Sequence, residues 1–213
     1  IVVTKPTVLV IGGGGFIGLA TVKKLVKTKK FNVKVADQFS GGTFDQLPKA
    51  VEAVTGDMCN TSSASSIIDF AKADVIIFLA SYAARPGTYG DLHLLGERFK
   101  SITNALTFMK QAVVKPKLFI YGSSADVYGK TYTKLVTTKD KTEPCFPYAT
   151  LALAAEQLVD QVCRGNDIRH IIFRFSEVYG KRTFKPARTD ELAFLISCCF
   201  NTPPEEFVGP ESA

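Results

Sequence analysis

The chain has 213 residues, 46% apolar and 22% charged, with a formal net charge of +6 and a pI near 9.0. That length and composition can bury a core without a disulfide or a metal, and they predict one main domain. Five cysteines with no Cys-x-x-Cys pair, and two histidines far apart (His93 and His170), argue against a disulfide framework and against a zinc site.

In chain order, Thr7-Val-Leu-Val-Ile11 is a β-branched run of the kind buried in a parallel sheet, and Gly12-Gly-Gly-Gly15-Phe16-Ile17-Gly18 follows at once. Glycines at 12, 15 and 18 fall where the strand must turn into a helix. Gly12 permits the tight turn, Gly15 lets backbone N–H groups approach a pyrophosphate at the helix N-terminus, and Gly18 lets the helix pack closely on the sheet. Phe31 to Asp37 is a second strand, ending in a carboxylate suited to adenosine ribose hydroxyls, with Gln38 rather than a basic residue after it. The pattern predicts a dinucleotide site that prefers NAD to NADP.

Strand and helix then keep alternating: Val51 to Thr55, a polar helix near Ser62 to Lys72, Asp74 to Leu79, a long helix from about Leu92 to Val113, Lys117 to Tyr121, a helix from Tyr148 to Arg164, and Ile168 to Arg174. Six strands in a doubly wound parallel α/β sheet are expected. Lys130 to Lys141 reads as a surface loop. Residues 1–180 are expected to form the dinucleotide-binding domain and 181–213 the start of a substrate-region-like extension, incomplete in this chain. Lys23, Lys27 and Lys30 are expected on one solvated face of the first helix, a nucleic-acid footprint being the alternative reading of the positive charge. No apolar stretch reaches the ~18 residues of a membrane span and no signal-peptide pattern opens the chain. A soluble protein of a reducing intracellular compartment, cytoplasm or mitochondrial matrix and not secreted, is therefore expected.

Further segments carry a resemblance: Asp37-Gln-Phe-Ser-Gly-Gly42, Gly56-Asp57-Met58, Phe78-Leu-Ala-Ser81, Ser123-Ser-Ala-Asp-Val-Tyr-Gly129, Pro147-Tyr148 and Arg174-Phe-Ser-Glu-Val-Tyr-Gly180. Together, over about residues 7 to 182, the chain resembles the extended short-chain dehydrogenases/reductases in their NAD-dependent nucleotide-sugar epimerase/dehydratase branch. The resemblance implies a Rossmann domain with NAD across the strand ends and a C-terminal region that holds a nucleotide-sugar. It implies pyrophosphate contacts from Gly12, Gly15, Phe16, Ile17 and Gly18, a ribose contact from Asp37, and adenine contacts from Asp57 and Met58. It also implies that Leu79, Ala80 and Ser81 line the far side of the cofactor and that Phe175, Ser176 and Val178 approach the nicotinamide. Ser124 matches the hydroxyl that binds the reacting oxygen, and Tyr148 the acid/base.

The chain departs from that pattern at one decisive position. The family's Tyr-x-x-x-Lys reads Tyr148-Ala-Thr-Leu-Ala152, so the lysine that would sit one helical turn from the tyrosine is absent. A phenol with no cation beside it is mostly protonated at neutral pH, which slows general-base chemistry. The Asn that the resemblance leads one to expect in the long helix is also missing, its place falling within Arg98 to Ser101. Tyr148 fits an apolar stripe with Leu151, Ala155, Leu158 and Val162 equally well, and Ser123 and Ser124 fit a role in satisfying backbone groups at a strand end. Cys198 and Cys199 read as buried helix surface.

The expectation is an NAD-binding, epimerase/dehydratase-like pseudoenzyme serving as a structural or regulatory subunit, in a larger assembly or a homo-oligomer. Two alternatives stay open. One is an active epimerase or dehydratase for a nucleotide-sugar, in which another cation replaces the lysine. The other is an RNA-binding Rossmann scaffold, which rests on charge alone.

Overall fold

The computed structural model describes residues 4–40, 44–80, 90–130, 135–176 and 178. Six strands, β1 (Thr7–Ile11), β2 (Asn32–Asp37), β3 (Glu52–Thr55), β4 (Val75–Phe78), β5 (Leu118–Ser124) and β6 (Arg169–Phe175), form one sheet in the order β3-β2-β1-β4-β5-β6. Every neighbouring pair is parallel, with Ile11 beside both Ala36 and Phe78. Helices α1 (Phe16–Thr28), α2 (Thr61–Ala71), α3 (Leu92–Gln111) and α4 (Pro147–Arg164) supply the crossovers. This is the Rossmann-like α/β architecture, and its strand order reverses between β1 and β4, where such sheets bind ligands.

Alternation along β1 sorts the core into two layers. Leu9 and Ile11 face a cluster with Ile76, Phe78, Phe119, Ile102, Met109 and Val159, beneath α2, α3 and α4. Val8 and Val10 face the opposite layer with Val33, Val35, Ile77 and Val22 of α1. The helix ends have local causes. Asn60 caps α2 by accepting from Ser63 N–H, and Asp91 caps α3 by accepting from His93 and Leu94 N–H. Pro147 opens α4, and left-handed Lys29 (φ 56°) and Lys72 (φ 41°) close α1 and α2.

Two sequence expectations need correction. The buried residues of α4 are Ala149, Ala152, Ala155, Glu156, Val159 and Cys163, so the core-facing stripe is centred on Ala152. Tyr148, Leu151, Leu158 and Val162 are only half-buried. The small alanines let α4 approach the sheet, and the larger apolar side chains flank the contact instead of filling it. Lys30 lies beyond the end of α1, and it, Lys23 and Lys27 are all exposed. Residues 181–213, including Cys198 and Cys199, are outside the described residues. Among the described residues no helix is long and apolar enough to cross a membrane.

Candidate functional site

The C-terminal ends of β1 and β2 are joined directly. Gly12 has φ +83°, its N–H donates to the Ala36 carbonyl at 2.8 Å, and a Cβ there would lie 2.5 Å from the Ala80 backbone nitrogen. Any side chain at Gly18 would collide with the Gly12 carbonyl oxygen, so α1 starts as close to the strand end as backbone permits. Gly15 at the N-cap makes no side-chain cap, and the first turn of α1 holds no acidic residue. First-turn N–H groups such as those of Ile17 and Gly18 have no intrahelical acceptor, and the helix dipole adds positive potential at the same place. Half-buried Phe16 and Ile17 follow on that turn. Such a turn forms a cradle whose geometry and potential suit an anion.

Asp37 closes the cradle from β2. Its Oδ2 accepts from Gly14 N–H at 2.8 Å and its Oδ1 from Phe39 N–H at 2.8 Å, and each oxygen keeps a further lone pair for a ligand hydroxyl. On the other side the row continues through half-buried Leu79 and Ala80. The Leu79 side chain and the Phe175 ring converge on Gly122 of β5, where a Cβ would meet them at 2.8 and 3.2 Å. Asp37, the glycine turn, Leu79, Gly122 and Phe175 thus form one row along the strand ends, with Ser176 exposed and Val178 half-buried beyond it. Ser81 is outside the described residues.

Asp57 and Met58 behave differently from each other. Asp57 accepts from Cys59 N–H at 2.8 Å and donates its own N–H to Ser63 Oγ at 3.0 Å, which leaves it at the rim, half-buried. The Met58 side chain is 5% exposed and packs in the core, while its carbonyl accepts from Asn104 Nδ2 at 2.8 Å.

At the end of β5, Ser124 Oγ donates to Asp126 Oδ2 at 2.8 Å and accepts from Asp126 N–H at 3.2 Å, capping the short 3₁₀ turn Ala125–Tyr128. Ser123 is committed to a buried network: its Oγ donates to Glu156 Oε1 at 2.5 Å, and Glu156, 4% exposed, also receives Arg174 Nη2 at 2.7 Å and Nε at 3.0 Å. Arg174 Nη1 donates to Tyr128 Oη at 2.7 Å. The carboxylate thus ties α4 to β5 and β6, and Arg174 extends the network to the 3₁₀ turn. No motif announces the pair; the signal in the sequence is that a lone Glu on the apolar side of a helix and an Arg inside a core strand are opposite charges in search of each other.

Tyr148, in the first turn of α4, stands beside a small cavity of about 40 Å³ whose lining includes Tyr121, Ser123, Ala152 and Ala155. Phe146 stands nearly parallel to its ring at 6.2 Å. The Arg98 guanidinium, from α3, lies over the same ring at 4.4 Å from its centroid. Burial pushes the neighbouring Tyr121 phenol well up, with Tyr148 and Glu156 adding to the rise and Arg98 opposing it. Among the described residues no group of three or more His, Cys, Asp or Glu side chains is placed to hold a metal.

The family model described as the NAD dependent epimerase/dehydratase family matches residues 8–209. The UDP-glucose 4-epimerase of Lactobacillus helveticus is 27% identical over 179 residues, covering 81% of this chain and 52% of that protein. A bifunctional UDP-glucose and UDP-xylose 4-epimerase of Pisum sativum is 26% identical over 198 residues, covering 84% and 54%. The chain spans about half the length of the curated relatives it matches. In fold it is similar to the UDP-glucose 4-epimerase of Thermus thermophilus in complex with NAD, with a TM-score of 0.77, 23% identity, and coverage of 84% of this chain and 58% of that one.

Proposed function

The chain belongs to the NAD dependent epimerase/dehydratase family, and from that premise we propose that it is the cofactor-holding part of a protein that oxidises and re-reduces a carbinol of a nucleotide-sugar. The observation that carries the reading is the single row of groups from Asp37 through the glycine turn to Gly122 and Phe175, with Tyr148 and Ser124 at its β5 end. The N-terminus of α1, with no side-chain cap and no acidic residue in its first turn, and the Cβ-free cradle suit a diphosphate, and the Asp37 carboxylate suits a ribose without a 2′-phosphate. NAD, the cofactor of the family, supplies the hydride acceptor when bound.

The chain's own residues then divide the work. Gly12, Gly15, Phe16, Ile17 and Gly18 hold the diphosphate, and Asp37 holds the ribose. Asp57 and the Met58 backbone border the adenine, Leu79 and Ala80 line the far wall, and Phe175, Ser176 and Val178 border the nicotinamide. Tyr148 Oη takes the proton of the reacting sugar hydroxyl and returns it at the end of the cycle. Ser124 Oγ turns from Asp126 to donate to the same sugar oxygen.

A second reading is favoured by Ala152. A methyl stands one turn after Tyr148, at 8% exposure, where the resemblance leads one to expect a lysine, and it supplies no charge. In this reading the protein holds NAD and turns over poorly or not at all, as a structural or regulatory subunit. Chromatography of UDP-glucose and UDP-galactose incubated with the full-length, NAD-loaded protein separates the two. Interconversion that is lost in Tyr148→Phe supports the enzyme, and tight NAD binding with both sugars unchanged supports the subunit.

A further inference from the structure

The last two rungs of the β5–β6 ladder face opposite ways. Ser123 pairs with Arg174 and Ser124 with Phe175, and the pleat turns the first pair toward α4 and the second away from it. Glu156 of α4, 4% exposed, grips the first rung. Ser123 Oγ donates to its Oε1 at 2.5 Å, and Arg174 donates Nε to Oε1 at 3.0 Å and Nη2 to Oε2 at 2.7 Å. We propose that the Glu156–Arg174 pair is a positioning clamp for the nicotinamide end of the site, fixing Ser124 and Phe175 through the residues that precede them. The inference rests on the reading of the strand-end row as a dinucleotide site.

A forked arginine–carboxylate contact fixes angle as well as distance. As a source of stability such a buried pair is weak, because apolar residues of similar volume often do as well once both charges are gone; what it supplies here is geometry. Arg174 also reaches past the carboxylate: its Nη1 donates to Tyr128 Oη at 2.7 Å, and its guanidinium lies 4.7 Å from the centroid of that ring. The turn Ala125–Tyr128, capped by Ser124, is therefore held from both ends, by Ser123 before it and by Tyr128 at its close. Next to Arg174, the Phe175 ring is seated over Gly122 with the Leu79 side chain. The Asp37 end of the row is built separately, on β1 and β2, so the clamp bears on one half of a dinucleotide.

Two probes read the halves apart: the fluorescence of NADH comes from its nicotinamide, and ADP-ribose lacks that ring. The full-length protein, freed of endogenous nucleotide, is titrated with each, and NADH emission is expected to rise on binding to wild type. Glu156→Leu/Arg174→Met, which removes both charges together, should bind ADP-ribose within about twofold of wild type and lose most of the NADH rise, as a loosely supported site does. Ser123→Ala, which releases β5 while leaving the carboxylate paired with Arg174, should lose part of the rise, and it carries the test if the double variant does not fold. Asp74→Asn, at the far end of the sheet, should keep the rise in full, which separates clamping from general instability. The inference is overturned if wild type binds NADH with no rise, if the folded clamp variants keep the rise in full, if their ADP-ribose affinity falls along with it, or if Asp74→Asn loses it equally. Failure of wild type to bind either probe would overturn the dinucleotide reading and the clamp together. A clamp-dependent rise in a protein that converts no UDP-sugar would leave the clamp standing and remove the enzyme reading.

Discussion

Asp37 binds two backbone N–H groups of its own chain, so a substitution there perturbs the glycine turn as well as a proposed ribose contact. Both the turn and the acid were readable from sequence because each is a local pattern: a strand, a run of glycines, and a strand ending in a carboxylate. Arg98 was not, since it approaches Tyr148 from another helix, and no periodicity within either segment reports that meeting. Met58 shows the same limit, its neighbours in sequence pointing to the rim while its side chain joins the core. The cysteines give a test at this scale. Burial pushes the Cys59 thiol up to about 12 and the Cys163 thiol up to about 11, whereas Cys145 is exposed. Mass-resolved alkylation at neutral pH should therefore modify Cys145 within minutes and leave Cys59 and Cys163 untouched until denaturant is added. Rapid labelling of Cys59 in the native protein would contradict the described packing.

Among the elements, α4 carries the most information. Hydropathy placed its buried stripe through Tyr148 and Leu151, but the tight approach to the sheet is made by Ala149, Ala152 and Ala155, with Glu156 buried among them. A rule that ranks side chains by size and polarity misses a face chosen for closeness and for one ion pair. That pair predicts a distinctive energetic pattern. Arg174→Met strands a buried carboxylate and should cost about 3–5 kcal/mol in urea unfolding. Glu156→Leu/Arg174→Met removes both charges and should recover much of that loss, at the expense of the Ser123 and Tyr128 hydrogen bonds. Equal destabilisation by the single and the double variant would mean that the charges do not form the unit described.

For the whole molecule, the alternation of strand and helix was enough to anticipate a six-stranded parallel sheet, because each strand is a short apolar run bounded by turn or cap residues. The opposite end of that sheet from the site is stitched by Asp74, which accepts from Thr7 N–H at 2.9 Å and from Lys117 Nζ at 2.9 Å. The Lys117 hydrogen bond first, and the Thr7 N–H second, hold its carboxyl below the usual carboxylate range. The folded state thus prefers the ionised acid, so the contribution to stability is complete above the ordinary aspartate range near pH ~3.9 and fades as pH falls through the lower folded value. Asp74→Asn should lower the melting temperature at pH 7, and the gap to wild type should close toward pH ~2; a gap independent of pH would assign the effect to packing.

The central claim is that the strand-end row from Asp37 to Phe175 is a site for NAD. Isothermal titration calorimetry on the full-length protein, freed of endogenous nucleotide, tests it most directly. Wild type should bind NAD at least about tenfold more tightly than NADP, and Asp37→Ala should lose most of that preference. Absence of NAD binding, or a preference unaffected by Asp37→Ala, would contradict the account.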